Sequence, residues 1–321
     1  MKFVQLESGG NMFEFILRFA APKPCRQVTS SHPKTTALAV ARAGGVLVML
    51  LLTVLASHAS AAKPRRHRPH GTSDRQTRKE AIGEIPFDRL EPDGKRKASD
   101  VLNHLTLYRR LPVQAIRCDP ELYTYVVNHP EILANIWQLL GVEDIVLEPV
   151  TSEVYRATDG GETEGHVEFL YRNHDTHIIL AHGSYDGPLF VQPVRGVCLL
   201  VLKTGFRREP SGDYYVTTRL DVFLSLEHAG AEFLARTFHP FVVKMADNNF
   251  LATGSFMASL SDAAESHPEA VLRVAQRLDH VRPEVRRRFV GITTEVSRRA
   301  QERSILQAGG IGAFRPLPLR R

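Results

Sequence analysis

The sequence IRCDPELYTYVVNHPEILANIWQLLGVEDIVLEPV, residues 116–150, contains the feature that decides the fold. The first residues of this stretch are expected to end a strand, its middle to form two short helices, and its last residues to form the next strand. Asp119 is an expected helix N-cap with Pro120 at the first helical position, and Pro130 restarts the helix in the same way. Gly141 predicts the end of the second helix. A helix pair directly after the first strand of a β-rich chain is an unusual order and restricts the choice of folds.

The rest of the chain supplies strands and then helices. The first strand is predicted over residues 112–118. Short turns separate the strands that follow the helix pair, which predicts antiparallel neighbours. These six strands are DIVLEPV (144–150), SEVYRAT (152–158), HVEFLYR (166–172), HIILAHGS (177–184), VRGVCLLVLKTGF (194–206) and YYVTTRLDVFLSL (214–226).

The alternation of side chains assigns residues to the two faces of these strands. In residues 166–172 it places Val167, Phe169 and Tyr171 on one face. In the last strand one face is mainly apolar, and Arg219 and Asp221 occupy the other. The shared apolar face carries Thr218, Leu220, Val222, Leu224 and Leu226.

A long helix is predicted over residues 227–260, where apolar residues recur at three-four spacing. Pro240 is expected to kink or split this helix. Two further helices are expected to begin at Pro268 and Pro283.

The element order strand, helix, helix, six strands, long helix resembles that of the helix-grip fold of the START/Bet v 1-like (SRPBCC) superfamily. The resemblance covers residues 112–260 and rests on element order, without a sequence motif. It implies an α+β fold in which a curved antiparallel sheet wraps around the long helix while the two small helices close one end. The helices after residue 260 are extra to this pattern. A plain α+β domain without a cavity is the alternative.

The N-terminal part predicts export. The apolar run of residues 45–56 is twelve residues long, whereas a membrane-spanning helix needs about twenty. Arg42 precedes the run, and Ala59-Ser60-Ala61 has the small residues of a signal-peptidase site. We therefore expect a leader over residues 1–61, cleaved after Ala61, and export to the periplasm or cell envelope of a bacterial-type cell. An uncleaved N-terminal membrane anchor is the alternative.

The charge is concentrated outside the expected domain. The chain has a net charge of +6, but residues 1–61 carry six basic and two acidic residues, and residues 62–79 carry seven and one. Residues 80–321 therefore have a net charge of −4, which argues against nucleic acid as a partner. We expect a basic disordered linker over 62–84, whose segment 62–79 contacts an anionic membrane surface or stays solvated. The folded domain is expected over 85–306, followed by a disordered tail over 307–321.

Cysteine and histidine give no metal signal. Cys118 and Cys198 would remain after cleavage and form either one disulfide or two small buried apolar side chains. No Cys or His spacing matches a zinc site. His177 and His182 lie at opposite parity on one strand, so they face opposite sides. We therefore expect no metal and no cofactor.

The resemblance implies a cavity that holds an apolar ligand, either a hydrophobic small molecule or a lipid. Aromatic side chains near the sheet and the long helix are the candidates to line it, although each of them can equally be ordinary core. Asp247 is a candidate for the cavity mouth or for local helix capping. The cavity candidates are Trp137, Phe169, Tyr171, Phe223, Phe233, Phe238, Phe241, Met245 and Asp247.

Three functions remain open from the sequence. The favoured one is non-catalytic binding of an apolar ligand at the cell envelope. The second is an envelope interaction or scaffold protein with a filled core. The third is a cavity enzyme of the cyclase type, for which Asp221, Arg219 and Asp247 would be the groups to examine. No residues at catalytic spacing support the third, so no catalytic residue is assigned.

Overall fold

The computed structural model describes residues 70–142, 145–158, 163–185, 194–227 and 231–311. The predicted signal peptide, its cleavage site and residues 62–69 of the basic segment 62–79 lie outside these ranges. So do the side chains of Phe233, Phe238, Phe241 and Met245. Within the described ranges, no helix combines the length and the apolar composition that crossing a membrane requires.

The described strands are β1 Leu107–Arg110, β2 Gln114–Arg117, β3 Val146–Pro149, β4 Val154–Thr158, β5 Thr163–Arg172, β6 Thr176–Tyr185, β7 Val194–Arg208 and β8 Tyr214–Leu226. They form one curved, unclosed antiparallel sheet in the order β1-β8-β7-β6-β5-β4-β3, with β2 also paired to β8. Both β1 and β2 pair with β8, with a shift of one residue in register between them, so they act as one edge strand interrupted around Pro112, which has no N–H to donate.

Two N-terminal helices cover the outer face of this sheet. They are α1, Arg75–Gly83, and α2, Pro92–Asn103, joined through a 3-10 turn at Phe87–Arg89. Their buried side chains, including Ala98 and Val101, belong to one apolar cluster with strand residues of the outer face. The sheet is therefore buried on both sides, which sequence reasoning did not anticipate.

Helix α1 corrects the prediction of a disordered linker over 62–84. The carboxylate of Asp74 accepts a hydrogen bond from the backbone N–H of Thr77 and caps the helix. Ala81 is the one residue of α1 described as buried. A helix that buries so few residues shows little apolar periodicity in its sequence. The prediction of disorder therefore rested on the basic composition alone, and it is wrong for this segment.

The inner face of the sheet carries the predicted helices. Helix α3, Pro120–Asn128, and helix α4, Pro130–Leu139, form the expected pair, and the Asp119 carboxylate accepts hydrogen bonds from the N–H groups of Glu121 and Leu122. Gly141 follows them with a positive φ of 64°, a conformation that glycine adopts without strain. The long helix α5, Ala231–Ser266, lies against β2.

Helix α5 differs from the prediction in being continuous through Pro240. A proline removes one backbone hydrogen bond, and the remaining turns here stay helical. Helix α6, Pro268–Ala275, and helix α7, Pro283–Ile311, begin at the predicted prolines and pack against α5 and each other. Helix α7 also extends to Ile311, beyond the predicted start of a disordered tail at residue 307.

The predicted fold class is thereby confirmed: the chain is α+β, with a curved antiparallel sheet, a helix pair after the first strand, a long C-terminal helix and additional helices. Neither Cys118 nor Cys198 forms a disulfide; both are buried in apolar clusters. Burial raises the pKa of each thiol to about 12, so both are small apolar core residues.

Candidate functional site

A cavity of about 200 Å³ lies between the inner face of the sheet and the middle of α5. The sheet contributes residues of β2, β5, β6, β7 and β8, and α5 contributes side chains between Ala246 and Met257. Tyr123, Val126 and Leu133 of the helix pair close it from a third direction. This is the position at which the sequence placed a ligand cavity.

The walls of the cavity are apolar because inward-facing strand positions carry aliphatic side chains. On β8, Leu220 and Val222 line it, and on β7, Leu200 and Leu202 do so. None of the described lining residues carries a charge. Pockets of this type exclude water and bind ligands mainly by burying their apolar surface.

Two of the few polar lining residues donate hydrogen bonds to backbone carbonyls of α5. The Gln114 Nε2 atom donates a hydrogen bond to the Phe250 carbonyl at 2.9 Å, and the Thr253 hydroxyl donates to the Asn249 carbonyl at 3.1 Å. Gln114 reaches the helix because Gly254 has no side chain. A Cβ at residue 254 would lie 2.2 Å from the Gln114 Oε1 atom. This contact fixes the distance between β2 and α5 beside the cavity.

Of the cavity candidates named from the sequence, Phe169 and Trp137 lie in different parts of the interior. Phe169 lines the cavity. Trp137 is 2% exposed and packs edge-on against Phe256, with ring centroids 5.8 Å apart. It belongs to the core between the helix pair and the C-terminal helices.

Tyr171 and Phe223 lie on the outer face, away from the cavity. A register shift between Phe169 and Tyr171 turns Tyr171 outward, where its hydroxyl accepts a hydrogen bond from Arg89 at 3.2 Å. Phe223 packs against Tyr108 under the N-terminal helices, with ring centroids 5.0 Å apart. The assignment of Phe223 to the cavity is therefore wrong, because residue 223 has the same parity on β8 as Arg219 and Asp221, which occupy the other face.

Asp247 forms an ion pair with Arg109 of β1, in which the Arg109 Nε atom donates to Oδ1 at 3.1 Å. Both side chains are largely buried, so this pair ties α5 to the edge of the sheet. Asp221 and Arg219, the other groups of the enzyme alternative, lie on the outer face. Asp221 accepts hydrogen bonds from the Tyr108 hydroxyl at 2.7 Å and from Arg110 Nε at 2.8 Å.

Burial also alters the ionisation of groups on the inner face. The pKa of His177 is lowered to about 4, mainly by burial and also by nearby Arg172, while Asp175 opposes this. Burial raises the pKa of the Tyr123 phenol. Both side chains are therefore neutral at pH 7. The described residues contain no group of three His, Cys, Asp or Glu side chains that could hold a metal ion.

Sequence reasoning did not single out Thr218 or Gln114 as site residues. Thr218 lines the cavity, is 3% exposed, and its hydroxyl has no hydrogen-bond partner in the described part of the chain. Its alternation with Leu220 and Val222 was the available signal.

No family model and no curated protein matches this chain. Among solved structures, a conserved protein from Geobacillus kaustophilus is similar over 46% of this chain and 93% of its own, at 12% identity and a TM-score of 0.33. Ara h 8.0201 matches over 45% of this chain and 99% of its own, at 12% identity and a TM-score of 0.26. The di-domain ARO/CYC protein BexL from the BE-7585A biosynthetic pathway matches over 55% and 58%, at 13% identity and a TM-score of 0.23.

The helix-grip arrangement follows from the chain's own strand order, from the helix pair after the first strands, and from the position of α5.

Proposed function

We propose that this chain is an exported, non-catalytic binding protein that holds a small apolar molecule between its sheet and α5. The observation that carries the proposal is the apolar cavity of about 200 Å³ at the position that the fold implies. A filled interior would instead have favoured the scaffold alternative. The enzyme alternative has less support, because Asp221 and Arg219 lie on the outer face and Asp247 is paired with Arg109.

The size of the cavity favours a compact ligand over a lipid with long acyl chains. An engineered apolar cavity of about 150 Å³ in another protein stays dry and binds benzene. A single ring or a short branched chain is therefore the expected scale of ligand.

The test fills the cavity from α5. Ala246 lines the cavity, so Ala246→Leu places three additional carbon atoms in it. At about 0.8 kcal/mol per buried CH₂, less about 0.5–1 kcal/mol of side-chain entropy, the ligand-free variant should gain about 1–2 kcal/mol of stability. Ala252→Leu is the matched control, because Ala252 lies on the same helix, is half-buried and does not line the cavity.

Benzene is the probe, and the midpoint of thermal unfolding is the measurement. Benzene should raise the midpoint of the wild-type protein and of Ala252→Leu but leave Ala246→Leu unchanged. Absence of any benzene effect on the wild-type protein, or a large loss of stability in Ala246→Leu, would show that no usable space exists. Native mass spectrometry of protein taken from its source would then identify the natural ligand.

Export is part of the proposal and rests on the leader sequence. The mature chain should begin at residue 62 and be recovered from the periplasm or cell envelope. N-terminal sequencing of the fractionated protein tests this, and a mature chain that retains residues 45–56 would favour the anchor alternative. If the basic segment 62–79 contacts an anionic membrane surface, the protein should bind vesicles of anionic lipid, and high salt should release it from them.

A further inference from the structure

A row of polar side chains crosses the inner face of the sheet beside the aliphatic residues that line the cavity. Thr218 of β8 lies directly opposite Thr204 of β7 on one side and opposite Gln114 of β2 on the other. His177 of β6 lies opposite Leu202, one diagonal step from Thr204. The four side chains share the inward parity of the aliphatic residues that line the cavity.

Three of these four groups, Thr218, Thr204 and His177, are buried without the partners that buried polar groups normally have. The exposed fractions are 3% for Thr218, 8% for Thr204 and 1% for His177. Among the described residues, neither hydroxyl and neither ring nitrogen of His177 has a hydrogen-bond partner. The Tyr123 phenol lies near Thr204. Burial raises the pKa of Tyr123, and Thr204 opposes this with a smaller effect. The two hydroxyl groups do not reach hydrogen-bond geometry.

Leaving several polar groups unpaired at one place costs stability, because each has lost its water without gaining a partner. A chain that needed only a packed core at these positions would be more stable with valine or leucine. The unpaired groups therefore indicate that a molecule with hydrogen-bonding atoms completes this region. Thr218 lines the cavity and is the point at which such a molecule reaches the row.

The chemistry of the lining selects the class of ligand. A threonine hydroxyl can donate one hydrogen bond and accept up to two, and a neutral imidazole can donate one and accept one. No described lining residue could balance a carboxylate or phosphate, and an unpaired buried charge is strongly unfavourable.

We propose that the cavity binds a neutral apolar molecule that carries a hydroxyl or carbonyl group, and that Thr218 forms a hydrogen bond with that group. This inference rests on the proposed binding function and specifies its ligand class. Phenols, alcohols and ketones of single-ring size fit it, whereas hydrocarbons lack the polar atom and carboxylic acids carry a charge.

The test compares benzene, phenol and benzoate at pH 7 by isothermal titration calorimetry. Thr218→Val keeps the shape of the side chain and removes its hydroxyl. Thr217→Val is the matched control, because Thr217 is the exposed neighbour on the opposite face of the same strand. Phenol should bind Thr218→Val about tenfold more weakly than it binds the wild-type protein, which corresponds to one net hydrogen bond. Benzene should bind both equally, Thr217→Val should match the wild type, and benzoate should not bind.

The outcomes separate the two proposals. If benzene binds but Thr218→Val does not change the ratio of phenol to benzene affinity, the ligand class is wrong and the cavity proposal survives. Binding of benzoate as tight as that of phenol would refute the requirement for a neutral ligand. If neither benzene nor phenol binds, both proposals fail. Thr204→Val provides a second variant of the same row if Thr218→Val does not fold.

Discussion

The buried imidazole of His177 should make the protein lose stability in mild acid, and His177→Leu should remove that part of the loss. The side chain is 1% exposed, and in the described part of the chain neither ring nitrogen has a partner. Its pKa is lowered to about 4, from an ordinary value of about 6.5. Burial is the largest cause, Arg172 contributes to the lowering, and Asp175 opposes it.

The sign follows from which state binds the proton first. The folded-state pKa of His177 lies below the unfolded-state pKa, so the unfolded protein takes up the proton first as the pH falls. The stability that the neutral His177 contributes is fully present above about pH 6.5 and is lost progressively down to about pH 4. With these two pKa values, the free energy of unfolding should fall by about 2 kcal/mol between pH 7 and pH 5 and by about 3 kcal/mol by pH 4.

The assay is denaturant unfolding followed by the fluorescence of Trp137, the single tryptophan of the chain, which is 2% exposed. The free energy of unfolding is measured between pH 7 and pH 5 for the wild-type protein and for His177→Leu. His182, whose pKa burial also lowers, is present in both proteins, so the difference between them isolates His177. Parallel pH dependences would refute the reasoning, because they would mean that the imidazole is hydrated or paired in the folded state.

Two further predictions concern contacts of the sheet, one with α5 and one between two of its strands. Gly254→Ala should lower the free energy of unfolding by about 1–3 kcal/mol, because its Cβ would displace the Gln114 amide and break a partly buried hydrogen bond. Gly291→Ala, where no atom outside the local helix backbone lies within 4 Å of the new Cβ, should instead be neutral or stabilising by up to about 1 kcal/mol. If both variants change the free energy of unfolding equally in chemical denaturation, the close approach of Gln114 to Gly254 is refuted. Asp221→Asn should cost about 3–5 kcal/mol, because it leaves the largely buried Arg110 guanidinium with only the half-exposed carboxylate of Glu80, 3.8 Å away, as a counter-charge. A loss below about 1 kcal/mol in the same assay would mean that water reaches this pair.

The order of elements could be predicted because its signals are local. The sequence Asp119-Pro120 marks a helix start by its own hydrogen-bonding chemistry, and short turn sequences separate the six strands after the helix pair. Parity also placed Thr218 on the apolar face, which is the face of the cavity. These features depend on neighbours in the chain, and a single sequence contains them.

Other features depend on contacts between distant segments. The register shift in β5 turns Tyr171 outward, although simple alternation placed it beside Phe169. Helix α1 buries only Ala81 among its described residues, and the sequence shows neither its docking on the sheet nor the covered outer face. The unpaired hydroxyl of Thr218 is likewise visible only once β7 and β2 lie on either side of it.

Helix α5 belongs to two hydrophobic cores at once. Its middle forms a wall of the cavity, and its later turns, through Leu260 and Ala264, belong to the cluster that α6 and α7 complete. The C-terminal helices are therefore not a detachable appendage, although they lie outside the pattern that the rest of the chain follows. Truncation after residue 260 would expose apolar surface on the same helix that forms a wall of the cavity. In the intact chain, both clusters should therefore unfold together in a single cooperative transition.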